Sequence, residues 1–264
     1  MTANDIMDFL KTLAPEEYAL DWDNPGLLAG RGDRTVSCVY VALDATTKAI
    51  GEAIRHGAQL LVTHHPMIFS PLKQVNDKNF ISQRILTLIE NQITYYAMHT
   101  NFDVARMGRL AGDRLMLADQ QVLEETIPAG TFNNDRPLGI GCTGRCQDGI
   151  TLGGFAQKVK EAFELPNVRI FGDPAMILTK AAVCPGSGKH MAGFALAQGC
   201  QVLVTGDIDH HEGIDANMQG LAIIDAGHYG IEHIFSEYVA SQLKEHFPEL
   251  KVETEENCQP FTVV

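Results

Sequence analysis

The sequence predicts an α/β protein built from two α/β repeats. Apolar residues follow strand-like and helix-like spacing in alternation along the chain. Two distant segments also repeat one pattern, AIRHGAQLLVT at 53–63 and ALAQGCQVLVT at 195–205. With 264 residues, of which 45% are hydrophobic, the chain can bury one large core or two modest ones. This composition excludes a disulfide-stapled miniprotein and a disordered tail.

The first half of the chain begins with a helix and continues with alternating strands and helices. One face of the opening helix is predicted to carry Ile6, Phe9, Leu10 and Leu13. The segment DWDNPGLLAG at 21–30 is predicted to be an ordered loop. The following predictions are a strand at 36–43, a helix at 46–56, a strand at 59–63, a helix at 79–90 and a strand at 93–98. Strands are predicted within 121–150, joining two lobes, and alternation resumes over 168–246.

The internal repeat has a spacing of 142 residues. Each copy reads as a helix, a glycine, a buried strand and then a polar cluster, which is His64–His65 in the first copy and Gly206–Asp207 in the second. Two helix–strand units of similar composition would also produce such a match, but we prefer duplication. Open α/β sheets bind ligands at the carboxyl ends of their strands, so a site is expected there.

Charge and cysteine content narrow the classes of function. The chain has 33 acidic and 20 basic side chains, a formal charge of −13, which argues against duplex DNA binding. The six cysteines are scattered and are predicted to be reduced and mostly buried in a reducing cytoplasm. The N-terminus lacks the pattern of a signal peptide, and no apolar stretch reaches the roughly 18 residues of a membrane span. We therefore expect a cytoplasmic protein without DNA or membrane partners.

Two histidines follow the buried strand of the first repeat. His64 and His65 come directly after the run LLVT, and Pro66, which cannot donate to a sheet ladder, indicates that the strand ends there. Where the chain turns at a strand end, two neighbouring imidazoles can reach two different metal ions. The alternative interpretation is that one of the two histidines is buried and hydrogen-bonded and the other is exposed, with no metal bound.

Two further segments place histidine and carboxylate side chains after strands. His99 and Asp103 lie in MHTNFD, just past the next strand, although Asp103 could simply cap the helix that follows. In DAGHYGIEH, His228 and Glu232 are four residues apart, so a helix would bring both to one face. Such a pair is also common on protein surfaces.

The segments together predict a metal centre. The candidate ligands are three histidines and two carboxylates, namely His64, His65, His228, Asp103 and Glu232. They are more numerous than the ligands of one closed tetrahedral zinc site, and they suit two ions with open positions. Mixed imidazole and carboxylate donors favour zinc, iron, manganese or nickel. We therefore predict two divalent metal ions per chain.

The same motifs resemble a known family, the Nif-three-like dinuclear-metal proteins, whose members are often called GTP cyclohydrolase type 2 homologues. The matching segments are DWDNPGLLAG (21–30), VTHHPMIF (62–69), MHTNFDVA (98–105), VCPGSG (183–188), VTGDIDHH (204–211) and DAGHYGIEH (225–233). The resemblance implies two intertwined α/β repeats with mixed sheets flanked by helices. We place them at 1–124 and 125–264, with 226–264 returning to complete the metal site. It also implies a ring-shaped, toroidal homohexamer with paired metals facing an internal cavity.

The resemblance also implies which residue binds which metal. His64 and Asp103 would bind one ion, His65 and His228 the other, and Glu232 would bridge them or bind both. His99 would lie beside the metals.

The function implied is a metal-dependent hydrolase acting on a small, nucleotide-like or cyclic amide or phosphoester substrate. Two metals about 3.5–4 Å apart can share a hydroxide that attacks such a substrate. His99 is the first candidate for proton transfer, since imidazole titrates near neutral pH, although it could instead only orient a ligand or a water. Asp44 and Asp207, at other strand ends, are weaker candidates. The opposing hypothesis is a non-catalytic metal-binding, interaction or regulatory scaffold.

Overall fold

The computed structural model describes residues 1–257 and 259–262, in two compact units. The first unit is Met1–Ala105 with Phe235–Cys258, and the second is Arg106–Ile234 with Gln259–Val264. Each unit is therefore assembled from two separate segments of the chain. Within the described residues, no helix is both long and apolar enough to cross a membrane.

The helices and strands alternate along the chain, as the apolar spacing predicts. In chain order they are α1 (Ala3–Leu13), β1 (Gly26–Ala29), β2 (Cys38–Asp44), α2 (Thr47–Arg55), β3 (Leu60–His65), α3 (Phe80–Glu90), β4 (Thr94–Ala97), α4 (Thr100–Phe102), α5 (Gly108–Arg114), β5 (Ala118–Ile127), β6 (Leu138–Arg145), α6 (Leu152–Ala162), β7 (Arg169–Phe171), β8 (Lys180–Ser187), α7 (Ala192–Ala197), β9 (Val202–Gly206), α8 (His210–Met218), β10 (Ala222–Asp225), α9 (His228–Glu232), α10 (Ile234–His246) and β11 (Lys251–Thr254). A π-helical turn over Asp103–Met107 joins α4 to α5.

The first unit contains a mixed sheet in the order β1-β4-β3-β2-β11. Strand β1 is antiparallel to β4, whereas β4, β3, β2 and β11 run parallel. Strands β2, β3 and β4 are almost entirely buried, as expected for parallel strands covered by helices. Their core includes Tyr40, Leu61 and Tyr95 together with Ile50 of α2 and Leu88 of α3.

The second unit contains a mixed sheet in the order β5-β6-β8-β9-β10-β7. Strands β8, β9 and β10 are parallel, and β7 is antiparallel to β10 at one edge. Its core packs Leu203 and Ile223 of the sheet against Ala195 of α7 and Ala216 of α8. The predicted fold class, α/β with mixed sheets and flanking helices, is confirmed.

Most predicted elements are present, with one clear error in the first unit. The strand and helix predictions over 36–98 match β2 to β4 to within a few residues, and β5 and β6 lie in or overlap 121–150. The prediction of a loop over 21–30 is wrong for Gly26–Ala29, which form strand β1 and pair antiparallel with β4. The repeat division after residue 124 stays a prediction; in the structure that residue lies inside β5.

Candidate metal centre

His64, the penultimate residue of β3, has a fully buried side chain. Its Nδ1 lies 2.7 Å from the backbone oxygen of Met98. Because a carbonyl oxygen only accepts hydrogen bonds, Nδ1 carries a proton, and in the neutral imidazole Nε2 therefore keeps its lone pair. That Nε2 lies 3.4 Å from Oδ1 of Asp103. The alternative that Asp103 N-caps the helix that follows does not hold, because its backbone is already α-helical, with φ −56° and ψ −48°, where α4 ends and the π-helical turn begins.

His65 is oriented by a carboxylate from the neighbouring strand. Its Nδ1 lies 2.9 Å from Oδ1 of Asp44, and the sheet register pairs these two residues at the ends of β3 and β2. The carboxylate accepts from Nδ1, so in the neutral imidazole Nε2 of His65 is likewise the nitrogen with a lone pair. Asp44 therefore orients a histidine.

His99 forms a dyad with Asp23, which lies in the segment before β1. Nδ1 of His99 is 2.8 Å from Oδ1 of Asp23, and Oδ2 of Asp23 accepts from the backbone and hydroxyl of Thr100. Burial of the Asp23 carboxyl opposes its ionisation, but these hydrogen bonds outweigh burial and lower its pKa to about 2. Asp23 is thus a fully buried, ionised partner that holds His99 in one orientation.

The three imidazoles of the first unit converge. Their ring centroids are 4.9 Å apart for His64 and His65, 5.2 Å for His64 and His99, and 5.5 Å for His65 and His99. Each offers one ligand atom, and these atoms lie within 4.8 Å of one another. The first unit therefore contains a histidine cluster that could hold a metal ion.

In the second unit, His228 and Glu232 lie on the short helix α9, as their spacing predicts. Nε2 of His228 is 3.0 Å from Oε2 of Glu232, whose side chain is almost fully buried. Nδ1 of His228 lies 2.8 Å from Oδ2 of Asp207, which follows β9. Gly186, at φ +80°, lets the backbone pass close to Glu232, since a Cβ there would collide with the carboxylate.

A cavity of about 780 Å³ adjoins His228 within the second unit. Arg169 and Tyr229 contribute to its lining. The Arg169 guanidinium is paired with the buried carboxylate of Asp225. The cavity leaves room for a small molecule beside His228.

One feature is common to the four candidate histidines. In each, Nδ1 faces an oxygen acceptor, which is a backbone carbonyl for His64 and an aspartate for the others. Metal-binding histidines characteristically donate their second ring N–H to such oxygens. The donor set therefore fits divalent first-row metals.

Asp23 is the residue of this site that sequence reasoning missed. It lies in the motif DWDNPG, which the resemblance includes, but 76 residues separate it from His99. No spacing rule connects residues so far apart in the chain.

Fold and donor sets together define an α/β protein with a candidate metal centre at strand ends. Residues 1–260 match the family model Duf34/NIF3 (NGG1p interacting factor 3). The chain belongs to this family, and the predicted resemblance is confirmed.

Relatives and solved structures agree with this assignment. A GTP cyclohydrolase 1 type 2 homolog of Streptococcus pneumoniae is 33% identical, over 93% of this chain and 91% of its own. A Helicobacter pylori protein named GTP cyclohydrolase 1 type 2 is 30% identical over 90% of both chains. A Bacillus cereus protein related to NIF3 has a similar structure, with a TM-score of 0.92, 25% identity and coverage of 100% of this chain and 99% of its own.

Proposed function

We propose that the protein is a metal-dependent hydrolase with a dinuclear centre. The first unit would supply His64, His65 and Asp103 as ligands, and the second His228 and Glu232. The observation that carries the proposal is the orientation of the histidines, each of which uses Nδ1 for an oxygen acceptor. This arrangement reserves Nε2 for a metal ion.

The donor chemistry limits the choice of metal. Three imidazoles and two carboxylates suit zinc, iron, manganese or nickel better than a soft thiolate-binding ion. When bound, two such ions supply Lewis acidity and lower the pKa of water towards neutrality. Asp44 and Asp207 hold the imidazole planes of His65 and His228 in place.

His99 is proposed to move the proton. Its Nδ1 is occupied by the ionised carboxylate of Asp23, so its Nε2 accepts or returns a proton at the side of the cluster. A carboxylate in this position stabilises the imidazolium that forms, as in other His–Asp pairs. Asp23 acts through His99 and is a positioning residue.

A small substrate with a nucleotide-like, cyclic amide or phosphoester group is proposed. The support is the name of the curated relatives, GTP cyclohydrolase 1 type 2 homolog, and the electrophilic chemistry that paired metals catalyse.

The first experiment is elemental analysis of protein purified without chelators or a histidine tag. About two transition-metal ions per chain support the dinuclear centre and name the metal. A content near zero, even after anaerobic reconstitution, contradicts it.

The second experiment separates catalysis from metal storage. His99→Ala is expected to retain the metals and lose hydrolysis of nucleotides, phosphodiesters or cyclic amides. His211→Ala, on the exposed face of α8, is the matched control and should retain both. Metal-replete protein without any turnover would instead favour the non-catalytic scaffold.

Assembly and location are part of the proposal. A homohexamer, implied by the resemblance, is tested by measuring the mass in solution. Cytoplasmic location is supported by the cysteines, since five of them are buried and not joined in disulfides. Burial raises the pKa of Cys142 to about 12 and that of Cys200 to about 11, so these thiols stay protonated. Cys258 lies outside the described residues.

A further inference from the structure

Two exposed aromatic side chains flank the His99 imidazole. Trp22 is 61% exposed and Phe69 is 51% exposed. Their ring centroids lie 5.9 Å and 5.6 Å from that of His99, both in edge-on geometry. Large aromatic rings are usually buried, and exposed apolar patches often mark binding sites. Two exposed rings beside one candidate catalytic histidine therefore indicate a ligand-binding surface.

Hydrogen bonds from neighbouring residues hold this aromatic pair in place. Asp23, next to Trp22, is anchored to His99 and Thr100. Asn24 donates from Nδ2 to the backbone oxygen of Ile68, next to Phe69, at 2.6 Å. The backbone beneath each ring is therefore fixed while the ring itself stays exposed, which is the arrangement of a prepared binding surface.

We propose that Trp22 and Phe69 bind a planar heteroaromatic ring of the substrate beside His99. The inference rests on the proposed function and adds the side chains that would bind the ring of the substrate. Aromatic side chains stack on any heteroaromatic ring, because every such ring has a π-face. Neither ring supplies a charge, so the pair selects for a flat ring rather than for a phosphate.

The single tryptophan of the chain makes the proposal directly measurable. The metal-containing protein as purified is titrated with guanosine, and emission is excited at the red edge of the tryptophan band. Stacking on Trp22 is expected to quench or shift the emission to saturation. Ribose, which lacks the ring, and inorganic phosphate should leave the emission unchanged.

Variants then locate the binding surface. Phe69→Ala is expected to weaken guanosine binding about tenfold, which corresponds to about 1.4 kcal/mol. Phe80→Ala is the matched control, because Phe80 is 61% exposed in the same unit and packs against Arg84 instead. Trp22→Ala, measured by equilibrium dialysis, should also lose about tenfold. All three side chains are exposed, so folding should be preserved.

Several outcomes would overturn the proposal. These are the absence of guanosine binding by both methods, equal responses to ribose and guanosine, or unchanged affinity in Phe69→Ala and Trp22→Ala. Emission of Trp22 that changes on dilution without nucleoside would show that a second copy of the chain covers it. Binding does not require turnover, so an inactive protein that binds guanosine would contradict the hydrolase and leave this inference standing.

Discussion

Strand β3 of the first unit and strand β9 of the second begin with the same local contacts but end in different side chains. Gln59 precedes β3, and its Oε1 accepts from the backbone of Ser37 and Cys38 and from the Ser37 hydroxyl. Gln201 precedes β9 and accepts in the same way from Thr179 and Lys180. The glycines two residues earlier, Gly57 and Gly199, have φ of 69° and 72°.

The likeness extends across each sheet. The order β1-β4-β3-β2 corresponds to β7-β10-β9-β8, with the same parallel and antiparallel pairs. The next strand differs, since β11 is parallel to β2 whereas β6 is antiparallel to β8. This shared frame supports duplication over chance similarity of composition.

The strand ends differ because the space available differs. His64 and His65 correspond in spacing to Gly206 and Asp207. At Gly206 a Cβ would collide with the backbone of Gly227 and His228, so no ligand side chain fits there. The second unit places its histidine on α9 instead, and Asp207 orients it. The same strand arrangement thus ends in candidate metal ligands at β3, whereas after β9 it ends in an aspartate that orients a histidine of another element.

The largest expected effect comes from removing a ligand at the end of β3. His64→Ala should weaken metal binding by more than about 100-fold, because a ligand counts for more than its supporting groups. Metal titration followed by elemental analysis measures it. His211→Ala should retain the wild-type affinity, and an unchanged affinity in His64→Ala would contradict the assignment.

The supporting carboxylates of the two units should have similar effects. Asp44→Ala and Asp207→Ala are each expected to weaken metal binding about 10–100-fold, because an imidazole without its partner loses orientation and basicity. Competition with a chelator measures the loss. Asp119→Ala, which removes an exposed carboxylate paired with Arg145, is the control. A loss in only one of the two variants would break the parallel between the units.

Filling the space beside β9 should cost folding stability. Gly206→Ala is expected to lower the free energy of unfolding by about 1–3 kcal/mol, since the added methyl group meets backbone. Urea unfolding measures the change. Gly193→Ala, in α7 with open space around it, should instead stabilise by about 0.4–1 kcal/mol. Equal stability of both variants would refute the steric explanation.

The smallest expected effect concerns Glu255, a carboxyl group that contacts β2 through a hydrogen bond that has no counterpart at the corresponding position of β8. In β2 the amide of Leu43 donates to Glu255, whereas the corresponding residue of β8 is Pro185, which has no N–H. Burial raises the pKa of Glu255 to about 7, although the hydrogen bond from Leu43 acts in the opposite direction and lowers it. The folded state therefore binds a proton more tightly than the unfolded state, and stability falls as pH rises from about 4.5 through about 7.

Replacing that acid should remove the pH dependence. Glu255→Gln keeps the acceptor for Leu43 and should be more stable than wild type at about pH 8, where the wild-type carboxyl is ionised in the folded state. Near pH 4 the two proteins should be about equal, since both are then neutral at this position. Urea unfolding at the two pH values tests this, and parallel stability curves would contradict the raised pKa.

By itself, the sequence determined the order of strands and helices, the repeated pattern and the candidate ligands. These depend on local features, namely apolar spacing, proline at a strand end and the four-residue separation of His228 and Glu232. Strand β1 escaped prediction because its pattern Gly-Leu-Leu-Ala does not alternate and its partner β4 lies far along the chain.

Only the tertiary structure decided which groups orient the histidines and which rings surround them. Asp23 reaches His99 and Trp22 flanks it because the segment before β1 folds back onto the end of β4. Phe69 flanks the same histidine from the segment after β3. Gly206 looks like any strand-terminal glycine until the backbone of His228 is seen against it. Such contacts join residues tens of positions apart, and their formation depends on packing rather than on local chain preference.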